Sequence, residues 1–272
     1  MSDVDLDAYF ARIGYEGPRE ATLETLRSLH RLHPAAIPFE AVDVLLGRGV
    51  DLDPRAVDAK LMAGGRGGYC FEQNSLFRRA LQALGFQVDG LIARPRWNRP
   101  LDVFGPRTHM ALRVRLDGDD WLADVGFGGC MLTTPVRIDV REPQDTWCEP
   151  VRLTPVEGEL RLEVLLGGAW TPVYDLNLRP QLDIDFVGPN WYTSTHPDSI
   201  FRQTLMAART APDARYALLD NRLTIRRPDA ETERHALSVA ELERVLAEDF
   251  GLPVAAEWRP VLERAVARGA QS

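Results

Sequence analysis

Cys70 is the residue around which chemistry is easiest to build. It closes the stretch Arg66-Gly67-Gly68-Tyr69-Cys70 and is followed by Phe71-Glu72. Two glycines free the backbone for a tight turn. The stripe Leu76, Phe77, Ala80, Leu81 and Leu84, broken at Gly85, predicts a helix immediately after that turn. Cys70 then falls in the first helical turn, where unpaired backbone N–H groups and the positive end of the helix dipole favour thiolate over thiol. The same groups could hold an oxyanion during acyl transfer. A bland reading competes: Cys70, Asn74, Phe77 and Leu81 share one helical face, and a free cysteine often serves as a small buried hydrophobe.

A base and a carboxylate sit further on. His109 and Asp124 flank Asp117-Gly118, a strong two-residue hairpin signal. With Leu116 opposite Asp119, His109 opposes Gly126 and Asp124 opposes Ala111. Met110, Leu112, Val114, Leu116, Trp121, Ala123 and Val125 make one apolar face. His109, Ala111, Arg113, Arg115, Asp120, Leu122, Asp124 and Gly126 make the other, read as the polar one. His109 and Asp124 are then diagonal neighbours, roughly 7–8 Å apart at Cα and within reach of each other. A cysteine nucleophile, a histidine base and a carboxylate that orients it form a complete activation chain. Taken singly, His109 reads equally as a solvated strand residue and Asp124 as a surface carboxylate.

The elements that must position these groups change character along the chain. Leu6, Tyr9, Phe10 and Ile13 predict a helix stopped at Gly14, and Leu23, Leu26, Leu29 and Leu32 predict a second, ended by Pro34. His30 and His33 near that end are read as capping or solvated. From about residue 86 to about 190, short alternating runs such as Met110 to Leu116 and Leu160 to Leu166 predict an antiparallel sheet or small barrel. The last third is mixed. Strands are expected on either side of Asp220-Asn221. A helix starts at Ser238 with Glu241 completing a capping box, and a final helix starts near Glu257.

Composition narrows the function classes. The 272 residues are 45% hydrophobic and 26% charged, ordinary for a globular protein. A formal net charge of −8 argues against a nucleic-acid partner. No apolar run approaches a membrane span, and the acidic start lacks a signal peptide's pattern. The other two cysteines, Cys130 and Cys148, read as structural thiols, and three sparse cysteines suit a reducing, cytoplasmic setting. No zinc motif occurs, so no metal is expected. The glycines at 64–68 lack the Gly-Lys-Ser/Thr of a phosphate loop.

The string Arg66 to Asn74 resembles the active-site motif of the arylamine N-acetyltransferases. Thr108-His109-Met110-Ala111-Leu112 and Ala123-Asp124-Val125-Gly126-Phe127-Gly128-Gly129 resemble its other two catalytic segments. Ile37-Pro38-Phe39-Glu40 and Asn190 to Pro197 are similar to further family segments. The resemblance implies an α+β fold with a cysteine-protease-like catalytic core. A helical bundle would span 1–85, a central antiparallel β-barrel 86–190 and an α/β lid 191–272. It implies ping-pong transfer of acetyl from acetyl-CoA through a Cys70 thioester to arylamines, arylhydrazines or N-hydroxyarylamines. His109 would be the base and Asp124 its support. Phe39, Phe127 and Phe201 match the aromatic pocket. Gly126, Gly128 and Gly129 match the glycine loop beside the acyl site, and Thr108, Gly129, Ser194 and Thr195 match contacts for coenzyme A. Arg66 and Glu40 resemble a charged pair behind the nucleophile. The same scaffold also suits a macrolactam-forming amide synthase or another acyl-CoA-dependent acyltransferase. A cysteine hydrolase, or a binding protein with a silent triad, are the more distant alternatives.

Overall fold

The first third folds as helices because its apolar residues recur at helical spacing. The computed structural model describes residues 4–228 and 230–270; residues 1–3 of the acidic start lie outside them. Helix α1 (Leu6–Ile13) is capped by the Asp5 carboxylate, which accepts from the Ala8 N–H at 3.0 Å, and stops at left-handed Gly14. Helix α2 spans Leu23–Ala36. It runs past the expected stop at Pro34, which lies inside its last turn. A proline there removes only the bond to the His30 carbonyl, and the Ile37 N–H still closes onto the His33 carbonyl at 2.8 Å. Strand β1 (Phe39–Glu40) and the short helices α3 (Val42–Leu45) and α4 (Pro54–Asp58) lead to α5 (Cys70–Ala83).

Seven strands follow: β2 (Gln87–Pro95), β3 (His109–Leu116), β4 (Asp119–Ala123), β5 (Val136–Arg137), β6 (Val151–Val156), β7 (Glu159–Leu166) and β8 (Ala169–Leu176). They form one antiparallel sheet in the order β5-β4-β3-β2-β8-β7-β6, curled into a half-barrel. Gln144 ties its two edges. Its backbone exchanges hydrogen bonds of 2.7 and 3.0 Å with Val151 of β6, and its side-chain amide exchanges bonds of 2.8 and 2.9 Å with the Arg137 backbone of β5.

The β3–β4 hairpin has the expected register, Leu116 opposite Asp119 through to Leu112 opposite Ala123. Asp117 and Gly118 both have positive φ, as a type I′ turn requires. Met110, Leu112, Val114, Trp121 and Ala123 pack with α1, α2 and α5. The face read as polar meets solvent only near the turn, where Arg113 and Arg115 share Asp89. Nearer the His109 end, Ala111 and Leu122 are buried in a second core inside the curled sheet.

The remaining elements are α6 (Val187–Thr195), α7 (Ile200–Gln203), β9 (Met206–Thr210), β10 (Arg215–Leu219), β11 (Arg222–Arg226), β12 (Glu233–Ala236), α8 (Val239–Glu248) and α9 (Arg259–Gly269). Helix α8 has the expected Ser238–Glu241 capping box. The five-stranded sheet is ordered β1-β9-β10-β11-β12, so its edge comes from the N-terminal segment, with Phe39 opposite Ala208 and Glu40 opposite Ala207.

A chain of charges locks the turn before Cys70. Buried Glu40 holds Arg66 at 2.7 Å, and Arg66 reaches Asp43 at 3.1 Å. Lys60 joins Asp43 at 2.9 Å to Glu72 at 2.7 Å, and Glu72 accepts the Tyr69 N–H at 3.0 Å. The Arg66 guanidinium also lies 4.7 Å over the Trp258 ring. Removing one partner of a buried pair leaves the other charge desolvated, which costs about 3–5 kcal/mol. Arg66→Ala is therefore expected to lower unfolding stability in urea by about 3 kcal/mol. An unchanged unfolding midpoint would remove this network from the account of what fixes the turn.

Candidate active site

Cys70 opens α5 as expected, with 4% of its surface exposed. Its Sγ lies 3.6 Å from the carbonyl of Thr108, the residue before His109, and is close enough to the His109 ring to help raise its pKa. The β3–β4 ladder ends at Ala123, one residue short of Asp124. The register nonetheless brings the His109 Nε2 to 2.7 Å from the Asp124 Oδ2. With Nε2 committed to the carboxylate, Nδ1 is the nitrogen left for the sulfur.

Asp124 is 1% exposed, and each part of it is engaged. Oδ1 accepts from the Asn74 Nδ2 and from the Gly126 N–H, both at 2.9 Å. Asn74 also accepts the Val125 N–H at 3.1 Å and donates to the Met110 carbonyl at 2.8 Å. The Asp124 N–H donates to the His30 Nε2 at 3.1 Å. Burial alone would raise the Asp124 carboxyl, but His109, Asn74 and the Gly126 N–H outweigh it and hold it below its ordinary range. Burial likewise works against a charged His109, yet Asp124 and then Cys70 raise the imidazole to about 10. The site is built for an imidazolium beside a carboxylate.

Of the other expected residues, Phe127 and Gly126 touch this centre directly. Phe127 packs edge-on against His109 with ring centroids 5.0 Å apart, and Tyr174 covers the same ring at 5.0 Å. Phe39 and Phe201 meet at 6.0 Å, and Phe201 lies 5.8 Å from Tyr69. A Cβ at Gly126 would come within 2.8 Å of the Cys70 Cα, so this glycine lets the Asp124 loop touch α5. A Cβ at Gly128 would sit 3.4 Å from the Phe39 ring, and one at Gly129 would sit 3.4 Å from the Ala217 Cβ. Ser194 and Thr195 donate to carbonyls of their own helix, Asn190 and Trp191. The Tyr69 hydroxyl donates to the Asn190 Oδ1, tying α6 to the Cys70 turn.

His30 and His33 are neither capping nor solvated; both are completely buried. His33 donates from Nε2 to the Gln73 Oε1 at 2.7 Å and accepts the Tyr9 hydroxyl at 2.9 Å. Gln73 in turn donates to the carbonyls of Ile37, Pro38 and Gly68 at 3.1, 2.8 and 3.2 Å. The signal was present in the spacing: positions 26, 29, 30 and 33 form one helical stripe. Cys130 and Cys148 are free thiols, each pushed up by burial to about 11. Among the described residues, no cluster of three His, Cys, Asp or Glu could hold a metal, and no helix is long and apolar enough to cross a membrane.

The raised imidazole has a sign that unfolding can read. A group whose folded value is above its unfolded value of 6.5 stabilises fully below 6.5 and loses that contribution as pH rises towards about 10. Relative to His109→Gln, the parent is expected to lose stability across pH 6.5–10 with a slope of up to about 1.4 kcal/mol per pH unit. Parallel stability curves for the two proteins across that window would refute an imidazolium at this position.

The sequence model of the N-acetyltransferase family matches residues 22–259. An arylamine N-acetyltransferase of Mycolicibacterium smegmatis is 39% identical over 253 residues, covering 92% of each chain. The Escherichia coli arylamine N-acetyltransferase is 39% identical over 92% of this chain and 89% of its own. The solved M. tuberculosis enzyme superposes with a TM-score of 0.91 at 38% identity, covering 96% of this chain and 99% of that one. The Mycobacterium marinum enzyme in complex with CoA superposes with a TM-score of 0.88 at 36% identity, covering 97% and 98%. The match spans both sheets and the Cys70, His109 and Asp124 segments, so this chain belongs to the arylamine N-acetyltransferase family.

Proposed function

We propose that this protein transfers an acetyl group from acetyl-CoA to arylamines or arylhydrazines by a ping-pong route through a Cys70 thioester. The observation that carries the reading is the 2.7 Å His109–Asp124 hydrogen bond set beside the Cys70 sulfur at the start of α5. In the first half, with the Cys70 proton already carried by His109, the sulfur attacks the thioester carbonyl. The N–H groups at the start of α5 would face the oxyanion. Collapse of the tetrahedral intermediate breaks the C–S bond to CoA, and His109 returns the proton to the leaving sulfur. In the second half, the amine nitrogen attacks the acetyl-cysteine, His109 receives the amine proton, and the C–S bond breaks to release Cys70 as the thiolate beside the imidazolium. Asp124 holds the imidazole in one orientation throughout.

An aromatic amine suits this chemistry because its nitrogen is largely neutral and nucleophilic near pH 7. Phe39, Phe127 and Phe201 would line the slot for its ring. Gly126, Gly128, Gly129, Thr108, Ser194 and Thr195 would flank the CoA arm, chiefly through backbone, since the Ser194 and Thr195 hydroxyls already bond their helix. The Salmonella typhimurium relative, 38% identical, is named as an N-hydroxyarylamine O-acetyltransferase as well, which supports N-hydroxyarylamines as further acceptors. The reading keeps a cysteine-protease-like core, with a bundle at 1–85, the curled sheet at 86–190 and a lid at 191–272. It also places the protein in the cytosol, where its free thiols stay reduced.

Intact-mass measurement after mixing with acetyl-CoA, without any amine, is expected to show one added acetyl group. Digestion should locate it on Cys70, Cys70→Ala should lack it, and an aminobenzoate should release it. A folded protein whose Cys70 accepts a labelling reagent but gains no acetyl group would overturn acetyl-CoA as the donor.

A further inference from the structure

We infer that His30, on helix α2, is a positioning residue for Asp124, acting as a neutral hydrogen-bond acceptor on the Asp124 backbone. Its place in the chain is remote, 94 residues before its partner. The β3–β4 ladder stops at Ala123, so no strand offers the Asp124 N–H an acceptor. His30 Nε2 supplies one at 3.1 Å. A backbone N–H this deeply buried needs a partner, and losing it would let the peptide before Asp124 turn. The carboxylate that holds His109 would turn with it. Sites of this kind tolerate displacements of only about 0.5 Å.

The geometry sets the tautomer. Nε2 accepts, so the ring proton resides on Nδ1 and the imidazole is neutral. A protonated ring would direct Nε2–H at the Asp124 N–H and break the contact. Complete burial guards against that, holding His30 down to about 4. The rest of the α2 stripe shows what else could have stood there. Leu26 and Leu29 fill the same core with no polar atom, and the His30 ring packs edge-on against Phe77 with centroids 5.9 Å apart. Packing alone calls for a leucine or a phenylalanine at this position. The acceptor nitrogen is what an imidazole adds.

This inference rests on the proposed role of Asp124, but its test needs no acyl donor. Cys70 alkylation by iodoacetamide would be measured at pH 7 and pH 9 in the parent, His30→Gln, His30→Met and His30→Phe, with thermal unfolding alongside. The Gln Oε1 can reach the position of Nε2 and accept the same N–H; Met and Phe keep the bulk without it. Met and Phe variants that fold are expected to alkylate at least tenfold more slowly at pH 7 and within about threefold of the parent at pH 9. His30→Gln is expected to stay near the parent at both. Loss of rate in equal proportion at both pH values, or His30→Gln no better than His30→Met, would overturn the inference. So would parental alkylation by His30→Met at pH 7. Should the Phe variant fail to fold, the Gln–Met comparison carries the same decision.

Discussion

An ionised carboxylate with 1% of its surface exposed is the constraint on which this structure turns. Desolvating such a group costs several kcal/mol unless hydrogen bonds and an opposite charge replace the water. Here the replacements come from separate parts of the chain. His109 comes from the start of β3, Asn74 from α5, the Gly126 N–H from the loop itself, and His30 meets the backbone from α2. A helix and a strand cannot each satisfy Asp124 unless they are packed together. The folded core and the ionised carboxylate are one requirement, and an imidazolium beside it follows from the same electrostatics.

Helix α5 then fixes the distance from the Asp124 carboxylate to the Cys70 sulfur. Cys70 and Asn74 are four residues apart, one turn on the same face, so the helix that presents the sulfur also holds the carboxylate. Contact requires the loop after β4 to reach the helix backbone. Gly126 permits it, since any side chain there would collide with the Cys70 Cα. Reach is set by covalent geometry and a helical rise rather than by flexible side chains, which leaves the imidazole little freedom between its neighbours. The Phe127 and Tyr174 rings close off the remaining directions.

Much of this centre was legible in the sequence because it rests on local rules. Asp117-Gly118 specifies one turn type, and the turn type sets the register that pairs His109 with Asp124. Paired glycines before an apolar stripe place Cys70 at a helix start. The less legible parts are non-local or cross category lines. His30 and His33 lie on the apolar stripe of α2, but imidazoles count as polar in any reading of faces, so burial went unrecognised. A hydrogen-bonded histidine is an acceptable core residue when its partner is 94 positions away, and no spacing rule shows that partner. Pro34 signals a stop in sequence, yet in a last turn it removes a single bond. The two-residue strand Phe39–Glu40 carries no alternation at all, and its pairing with residues 207–208 arises only when the chain closes.

That pairing explains why the C-terminal third matters to a cysteine it does not contain. The turn before Cys70 is gripped from the helical side by Gln73 on the Gly68 carbonyl and by Glu72 on the Tyr69 N–H. From the other side, Asn190 takes the Tyr69 hydroxyl, Trp258 covers Arg66, and β9 fixes the strand that bears Glu40. A glycine-rich turn has high conformational entropy when free, and ordering it costs about 1–2 kcal/mol per residue. Contacts from both ends of the chain meet that cost at the same few residues. The turn can be rigid only when the C-terminal sheet and helices are in place, so the geometry around Cys70 and the completion of the fold are coupled through Arg66, Tyr69 and Glu40.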